Sequence, residues 1–332
     1  MLFRSRGARK LRSSAARISV LRSARSAARK LILSRFTSSA SKAGCDLFHA
    51  FNFLPPAEPD VPVLPVIYDL STFRYPEFHP ADRVKLLAGL EACLKRAPAV
   101  QTISEFSRRE IVDIFGYPAE RVLVAPPAAA SVFAPRGEAE TTLNLAPFDL
   151  KAGHYFLSVG TLEPRKNYRS LISAYAALPP AARGRCPLVI VGGKGWGSLN
   201  LPPQADALRA DGSLRFLEGV ANLQLGSLYE GARLVLMPSL YEGFGMPIVE
   251  ALACGAPVAF SSDSSMVEIA GGLGRTAAAL DVDAWVSILE DAVSSDEHLD
   301  AESRKVRIGR ARAFDWDRSA GLVLETYRRM VP

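Results

Sequence analysis

Short runs of apolar residues alternate with stretches of helical periodicity along most of the chain. From residue 46 onward the apolar runs lack a polar alternation, which is typical of strands covered on both faces. In the first half, the pattern predicts strands over residues 47–50, 63–68, 99–103 and 122–125, and helices over 81–96 and 104–115. Ser104 is positioned to cap the second helix, because its hydroxyl oxygen can accept a hydrogen bond from a free backbone amide.

The second half shows the same alternation more clearly. Its strands are predicted over residues 155–159, 187–191, 214–217, 234–237 and 257–260. Its helices are predicted over residues 168–178 and 247–254, and near 281–294, 298–313 and 316–330. Between the halves, residues 126–152 are rich in Pro and Ala and lack periodicity, which predicts a linker.

This order of elements predicts an α/β protein with two Rossmann-like, doubly wound parallel-sheet domains. We divide the chain into a basic segment with helix-like spacing over residues 1–45, an N-terminal domain with its linker over 46–150, and a C-terminal domain with closing helices over 151–332. In such folds, ligands bind beyond the carboxyl ends of the strands. We therefore expect the functional site between the two domains.

The charge is unevenly distributed. Residues 1–42 contain 12 Arg or Lys and no Asp or Glu, so the net charge of +6 leaves the other 290 residues at about −6. The basic segment predicts peripheral contact with an anionic membrane surface. A solvated basic helix, an Arg-rich targeting segment and a start codon inside a longer gene remain alternatives. Nucleic-acid binding is not expected, because the basic residues are not interleaved with aromatic ones.

The sequence also argues against a membrane-spanning protein and against a metal site. No apolar run approaches the roughly 18 residues of a membrane-spanning helix. The four cysteines and four histidines are scattered without CxxC pairs, which indicates a reduced compartment, a cytoplasmic location and no structural zinc. Asp281-Val282-Asp283 has the D-x-D spacing of some metal sites, but it precedes a predicted helix, so capping explains it better and we predict no metal.

The most informative segment surrounds Glu242 and Glu250. Gly243 and Gly245 allow a ligand to approach the backbone closely, and Pro247 suits the start of a helix whose free amides bind anions. The two glutamates can hold the two ends of one polyol. They are a weak hydrolase pair, because eight helical steps separate backbones by about 12 Å, whereas a retaining glycosidase needs carboxyls about 5 Å apart. A helix cap and a solvated helix face are the alternatives.

This segment resembles the E-x7-E motif of the retaining family 4 glycosyltransferases of the GT-B fold. Gly160-Thr161-Leu162-Glu163-Pro164-Arg165-Lys166-Asn167 is similar to their G-T-x-x-P-R-K-N motif, and Thr102-Ile103-Ser104-Glu105-Phe106-Ser107 to their T-x-S-x-x-S segment. The resemblance extends from Asp46 to the C-terminus and is most specific over residues 155–271. The nearest branch contains bacterial mannosyltransferase-like enzymes of surface-polysaccharide assembly.

The resemblance implies roles for individual residues. Arg165 and Lys166 would neutralise the leaving diphosphate, and Glu250 would accept hydrogen bonds from the ribose. Gly160 ends the first strand of the donor domain. The donor sugar would be held by Glu242 and by the backbone amides of Gly243, Phe244, Gly245 and Met246.

Weaker signals lie in two neighbouring loops. The loop over residues 192–197, with Gly193, could admit the nucleotide. Within it, Lys194 either reaches a phosphate or is a solvated lysine, and Trp196 either stacks on a base or packs against the domain. Val220 lies where the family contacts the base through its backbone, with a core valine as the favoured alternative.

Two features depart from the family pattern. Tyr68 stands where the family often has a histidine, and Asp69 beside it either orients an acceptor hydroxyl or caps the turn into Ser71. The first strand and Gly-rich loop of the family have no match in residues 1–45, so we expect an incomplete N-terminal domain. Three explanations stay open for the first strand and its loop: the basic segment replaces them, the reading frame is truncated, or a partner supplies them.

Together these observations predict a retaining hexosyltransferase without a cofactor or metal. The resemblance favours GDP-mannose as the donor and a glycan or lipid-linked molecule as the acceptor, while UDP-glucose and UDP-N-acetylglucosamine stay open. Two alternatives are a nonenzymatic nucleotide-sugar-binding subunit that needs a partner transferase, and a GT-B-type sugar-nucleotide epimerase. An epimerase would require acid and base residues in the cleft, which the sequence does not offer.

Overall fold

The computed structural model describes residues 44–51, 53–54 and 60–331. The prediction of a membrane-binding basic segment over residues 1–42 lies outside these residues. Within them, no helix is long and apolar enough to cross a membrane.

The first sheet has four parallel strands in the order β1-β2-β3-β4. The strands are β1 Phe48–Ala50, β2 Val63–Ile67, β3 Val100–Thr102 and β4 Val122–Val124. The helices that accompany them are α1 Ser71–Arg74, α2 Ala81–Leu87, α3 Leu90–Leu94 and α4 Glu105–Phe115. Each strand matches a predicted apolar run to within about two residues.

The second sheet has six parallel strands in the order β10-β9-β8-β5-β6-β7. Its strands are β5 Phe156–Val159, β6 Leu188–Val191, β7 Leu214–Leu217, β8 Leu234–Met237, β9 Val258–Ser261 and β10 Arg275–Ala277. The chain leaves β5 toward β6 on one side and later returns to β8 on the other. A crevice therefore opens beyond the carboxyl ends of β5 and β8, where doubly wound sheets bind ligands.

Helices cover both faces of the second sheet. They are α5 Glu138–Leu145, α6 Tyr168–Ala177, α7 Pro180–Arg185, α8 Ala205–Ala210, α9 Asn222–Glu230, α10 Met246–Ala253, α11 Met266–Ala270, α12 Val282–Ser294 and α13 Ala301–Ala311. The last helix, α14 Trp316–Met330, packs instead beside β4 of the first sheet. Alternate residues of β8 enter different cores: Val235 packs into one hydrophobic cluster, and Leu234 and Leu236 into the other. Burial of each such side chain contributes about 1.5–3 kcal/mol. The prediction of two parallel-sheet units is thus confirmed.

Two predicted elements differ from the structure. The helix predicted over residues 81–96 is divided into α2 and α3, because the chain turns at Ala88 and Gly89 and glycine is a poor helix former. The stretch 126–152, predicted as a linker, contains helix α5. This helix packs on α9, and Thr141 donates a hydrogen bond to Glu230 at 3.0 Å. Strand β10 and helices α1 and α11 were not predicted, because with three to five residues each is too short for its period to repeat clearly.

Candidate active site

The loops that follow β5 and β8 meet at the crevice. A 3₁₀ turn over Pro164–Lys166 follows β5 and leads into α6. The loop after β8 leads into α10, and its Leu240 amide donates to the Arg165 carbonyl at 2.9 Å. Asn167 donates from its side chain to the carbonyls of Pro238 and Ala279, at 3.0 and 2.7 Å. These bonds hold the two loops in a defined relative position.

Glu242 is the centre of a buried ion cluster. Its carboxylate contacts Lys166 Nζ at 2.6 Å and Arg165 Nη1 at 2.8 Å. Burial by itself would raise the pKa of Glu242, but the two cations lower it to about 2. Glu242 is therefore ionised at neutral pH, and the structure brings together three of the four residues predicted to be catalytic.

Glu163 is a member of the cluster that the sequence reasoning missed. Its Oε1 accepts from Arg165 Nη2 at 2.7 Å, and its other oxygen is buried without a hydrogen-bond partner among the described residues. Burial alone would lower the pKa of Arg165, but Glu242 and Glu163 raise it above its usual value. Two carboxylates thus balance two cations. Glu163 lies inside the quoted motif, at a position that the pattern leaves variable.

Four backbone amides beside Glu242 are free. Gly245 has a φ of 98°, a left-handed conformation that favours glycine, and it turns the chain into α10. In the part of the chain that the structure describes, the amides of Gly243, Phe244, Gly245 and Met246 donate no hydrogen bond. The Phe244 side chain is buried against Phe314. Free amides at the N-terminus of a helix attract anions and oxygen-rich groups.

Glu250 lies on α10, within the second turn. Its Oε2 accepts from the hydroxyl of the buried Tyr229 at 2.8 Å. Burial raises the pKa of Glu250, and the bond from Tyr229 partly opposes that rise. Tyr229 lies on α9, so its pairing with Glu250 arises from helix packing and has no signal in the sequence.

The N-terminal half reaches the cluster through residues 68–70. A Cβ atom added at Gly243 would lie 2.0 Å from the Tyr68 carbonyl oxygen and 2.7 Å from Asp69 Cβ. Asp69 is therefore adjacent to the donor-side loop, where it accepts from the amide and hydroxyl of Ser71 at 3.0 and 2.6 Å. The turn-capping interpretation of Asp69 is confirmed, and no other described contact occupies its second carboxylate oxygen.

The T-x-S-x-x-S segment joins the two halves. Ser104 Oγ caps α4, accepting from the Ser107 amide at 3.0 Å, as predicted. The hydroxyls of Ser104 and Ser107 both donate to the Gly243 carbonyl, at 2.6 and 3.1 Å. From α11, the Glu268 carboxylate accepts from the amides of Glu105 and Phe106 at 2.9 and 2.8 Å. The Glu268 contacts were not predicted.

The remaining predicted residues lie around this centre. Gly160 follows β5, and its carbonyl accepts from Tyr168. Gly193 and Lys194 are exposed, and the Gly193 carbonyl accepts from the Leu162 amide at 3.0 Å. Val220 packs partly against the core.

The D-x-D sequence behaves as a helix cap. Asp281 accepts from the Ala284 amide at 3.0 Å and begins α12, which agrees with the capping interpretation. Among the described residues, no group of three or more His, Cys, Asp or Glu side chains is arranged to hold a metal ion.

Known proteins resemble this chain in sequence. Residues 149–308 match the family model of glycosyl transferases group 1. The O-antigen chain mannosyltransferase B of Escherichia coli is 35% identical over 283 residues, covering 85% of this chain and 74% of that protein. The serotype-specific mannosyltransferase WbdA of Escherichia coli is 28% identical over 71% of this chain. The matched region covers only 29% of the length of WbdA.

Solved structures share the fold at lower identity. Anabaena HepE in complex with UDP-glucose has a TM-score of 0.73 at 18% identity and covers 90% of this chain and 82% of its own. WaaG, a glycosyltransferase involved in lipopolysaccharide biosynthesis, has a TM-score of 0.62 at 18% identity. The match covers 84% of this chain and 75% of the WaaG chain. With its two parallel sheets and the ion cluster between β5 and β8, the chain belongs to the glycosyl transferases group 1 family and has the GT-B fold.

Proposed function

We propose that the chain transfers a mannosyl residue from GDP-mannose to a glycan or lipid-linked acceptor, with retention of configuration. The observation that carries the proposal is the cluster of Arg165, Lys166 and Glu242 beside four free amides at the carboxyl ends of β5 and β8. Cations and amide dipoles at one point suit a diphosphate and the polar sugar attached to it. The mannosyltransferase relatives support mannose as the sugar.

In this proposal, the donor spans the crevice. Glu250 accepts hydrogen bonds from the ribose hydroxyls, and Lys166 and Arg165 contact the diphosphate. Because Glu242 already pairs with both cations, the diphosphate competes with it for Lys166, and the Glu242 carboxylate then becomes available to the sugar hydroxyls. The amides of Gly243 to Met246 supply donors to the sugar oxygens.

The transfer step needs no base from the protein. The bond between the anomeric carbon and the β-phosphate oxygen breaks, and the acceptor oxygen bonds to the same face of that carbon. The acceptor proton passes to the leaving phosphate oxygen, whose charge the cations stabilise. Asp69 orients the acceptor hydroxyl through its second carboxylate oxygen. Tyr68, with a pKa raised by burial, remains protonated and takes no proton.

A binding titration tests the donor site. We would titrate the full chain by calorimetry with GDP, UDP and ADP and with their mannose, glucose and N-acetylglucosamine conjugates. We expect GDP-mannose to bind most tightly and Lys166→Ala to weaken it at least tenfold. Lys305→Ala, which removes an exposed lysine on α13, is the matched control. Equal affinity of Lys166→Ala and the unaltered chain would overturn the site assignment.

A transfer assay separates the alternatives. Release of GDP that requires a mannose-terminated acceptor supports the transferase, and an unchanged rate in EDTA supports the proposal that no metal takes part. Tight GDP-mannose binding without transfer, with activity only when a partner is added, would instead identify a nonenzymatic subunit. Conversion of the donor sugar without an acceptor would identify an epimerase.

Location is a separate proposal. We propose that the protein acts in the cytoplasm, at the inner face of the membrane, with residues 1–42 contacting anionic lipid. Their 12 basic residues and absence of acidic ones support this. Sedimentation with vesicles of phosphatidylglycerol and phosphatidylcholine tests it: binding should require the anionic lipid and weaken with salt, and binding to neither vesicle would refute it.

A further inference from the structure

A second cavity lies between the two halves, beside the ion cluster. Its volume is about 460 Å³, within the roughly 300–1,000 Å³ of small-molecule sites. The N-terminal half contributes Glu77 and His79, and the C-terminal half contributes Pro164, Trp196 and Asn200. None of the donor-side residues from Glu242 to Glu250 lines it. Pro164 is the neighbour of Arg165, so the cavity adjoins the proposed diphosphate site.

His79 is a buried polar residue without a partner. The residue is 9% exposed, and neither ring nitrogen has a hydrogen-bond partner among the described residues. Burial and the nearby Arg83 lower the pKa of His79, so the ring is neutral at physiological pH. A neutral imidazole offers one donor and one acceptor. Because buried polar groups are normally hydrogen-bonded, the two unpaired nitrogens favour a ligand that can both donate and accept.

Hydroxyl groups have this dual capacity. A sugar ring carries several of them around an apolar C–H face, so it can satisfy both nitrogens of His79 and still cover an aromatic surface. After burial and Arg83, the charge of Asp69 raises the pKa of His79 and the charge of Arg165 lowers it, so both charges act on the ring that lines the cavity.

Trp196 supplies the aromatic surface and is held in place. Its Nε1 donates to the Phe78 carbonyl at 2.7 Å, and the Arg83 guanidinium lies 5.5 Å from the ring centroid. The indole and the His79 ring are 6.0 Å apart between centroids. A fixed aromatic ring beside unpaired polar atoms is the usual composition of a small-molecule pocket.

We propose that this cavity binds the terminal sugar ring of the glycan acceptor, with His79 hydrogen-bonding to its hydroxyls and Trp196 packing against its C–H face. The proposal rests on the proposed function. It assigns His79, which comes from the loop after α1, to acceptor positioning, although the end of β2 carries a tyrosine where the family often has a histidine.

Steady-state kinetics of the full chain with GDP-mannose and a mannose-terminated glycoside test the proposal. We expect His79→Phe and Trp196→Ala each to raise the acceptor KM at least tenfold while the Kd for GDP-mannose changes less than twofold. His79→Gln, whose amide both donates and accepts, should recover part of the acceptor affinity. His154→Phe and Trp316→Ala alter exposed residues elsewhere and serve as controls.

Saturation-transfer NMR gives a readout that does not depend on turnover. Methyl α-mannoside in the presence of GDP should receive magnetisation from the unaltered chain and much less from His79→Phe. Thermal unfolding of each variant shows whether it is folded, and His79→Gln keeps the test valid where His79→Phe is unstable.

The outcomes are distinguishable. Weaker GDP-mannose binding with an unchanged acceptor KM would assign the cavity to the donor and overturn the proposal. Unchanged kinetics in folded variants of both residues would show that the cavity binds no substrate. Failure of the unaltered chain to bind GDP-mannose or transfer its sugar would contradict the proposed function itself.

Discussion

Glu242 shows how one buried residue can serve both the fold and the site. It pairs with Lys166 and Arg165, and Arg165 also pairs with Glu163. A buried ion pair contributes little net stability when intact, but removal of one partner leaves a buried charge uncompensated. Glu250 is different, because its one described partner is the neutral Tyr229 hydroxyl.

We predict opposite effects for the two glutamates. Glu242→Gln should reduce the free energy of unfolding by roughly 3–5 kcal/mol, because Lys166 loses its buried counter-charge. Glu250→Gln should leave that free energy unchanged or slightly raised, because it removes a poorly compensated charge, while weakening GDP-mannose binding. Urea unfolding and calorimetry measure the two quantities, and equal losses of stability in both variants would contradict the prediction.

The Glu242 carboxylate should make the stability of the fold depend on pH. Its pKa is about 2 in the folded chain and about 4.3 when unfolded. The unfolded chain therefore binds a proton first as the pH falls. The stabilisation that ionised Glu242 gives the folded chain is complete above about pH 4.3. It falls by about 3 kcal/mol as the pH drops toward 2. Urea unfolding of the unaltered chain and Glu242→Gln between pH 6 and 3 should show the smaller slope in the variant, and parallel slopes would refute the prediction.

Sequence reasoning identified Arg165, Lys166 and Glu242, but it identified neither their pairing nor the fourth member of the cluster, Glu163. Arg165, Lys166 and Glu242 stand at fixed positions of motifs, and Glu163 stands at a variable position of one. Tyr229 and His79 instead acquire their roles through contacts across the fold. Such contacts depend on which strands and loops become neighbours, and no local pattern encodes this.

At the scale of elements, helix α4 is capped from two sources. The cap by Ser104 was predicted, because an N-cap is a local pattern and Ser104 lies only three residues before the amide that it binds. Glu268, which lies in the other half and 163 residues from Glu105 in sequence, binds the two amides before that one. The same contrast explains why strands with continuous apolar runs were predicted, while α5 was hidden in a stretch rich in Pro and Ala.

We predict that Glu268→Ala exposes the start of α4. The loss of a charged acceptor at a helix N-terminus costs about 0.5–2 kcal/mol. Hydrogen exchange at the amides of Glu105 and Phe106 should accelerate. Asp281→Ala, which removes a cap of α12 inside the C-terminal half, should cost similar stability without affecting those two amides. Unchanged exchange in Glu268→Ala would show that this cap does not form.

For the whole molecule, Gly243 determines how closely the halves approach. Gly243→Ala would place a methyl group 2.0 Å from the Tyr68 carbonyl oxygen, so the halves must separate locally. We expect the variant to lose at least tenfold in transfer rate and to have a larger radius of gyration by small-angle X-ray scattering. The control is Gly309→Ala on the exposed face of α13, where nothing lies within 4 Å of the new methyl group.

The control itself should add about 0.5–1 kcal/mol of stability, because alanine is the better helix former. An unchanged radius and rate in Gly243→Ala would show that the loop after β8 accommodates a side chain.

The Glu268 cap limits how this enzyme can be recombined with its relatives. A chimaera that joins the first half of this chain to the donor half of another protein leaves the amides of Glu105 and Phe106 open, unless the new half carries an acid at the equivalent of Glu268. It also requires glycine at the equivalent of Gly243. Swapping halves to exchange acceptor specificity should therefore succeed only when the new donor half has an acid at the position of Glu268 and a glycine at the position of Gly243.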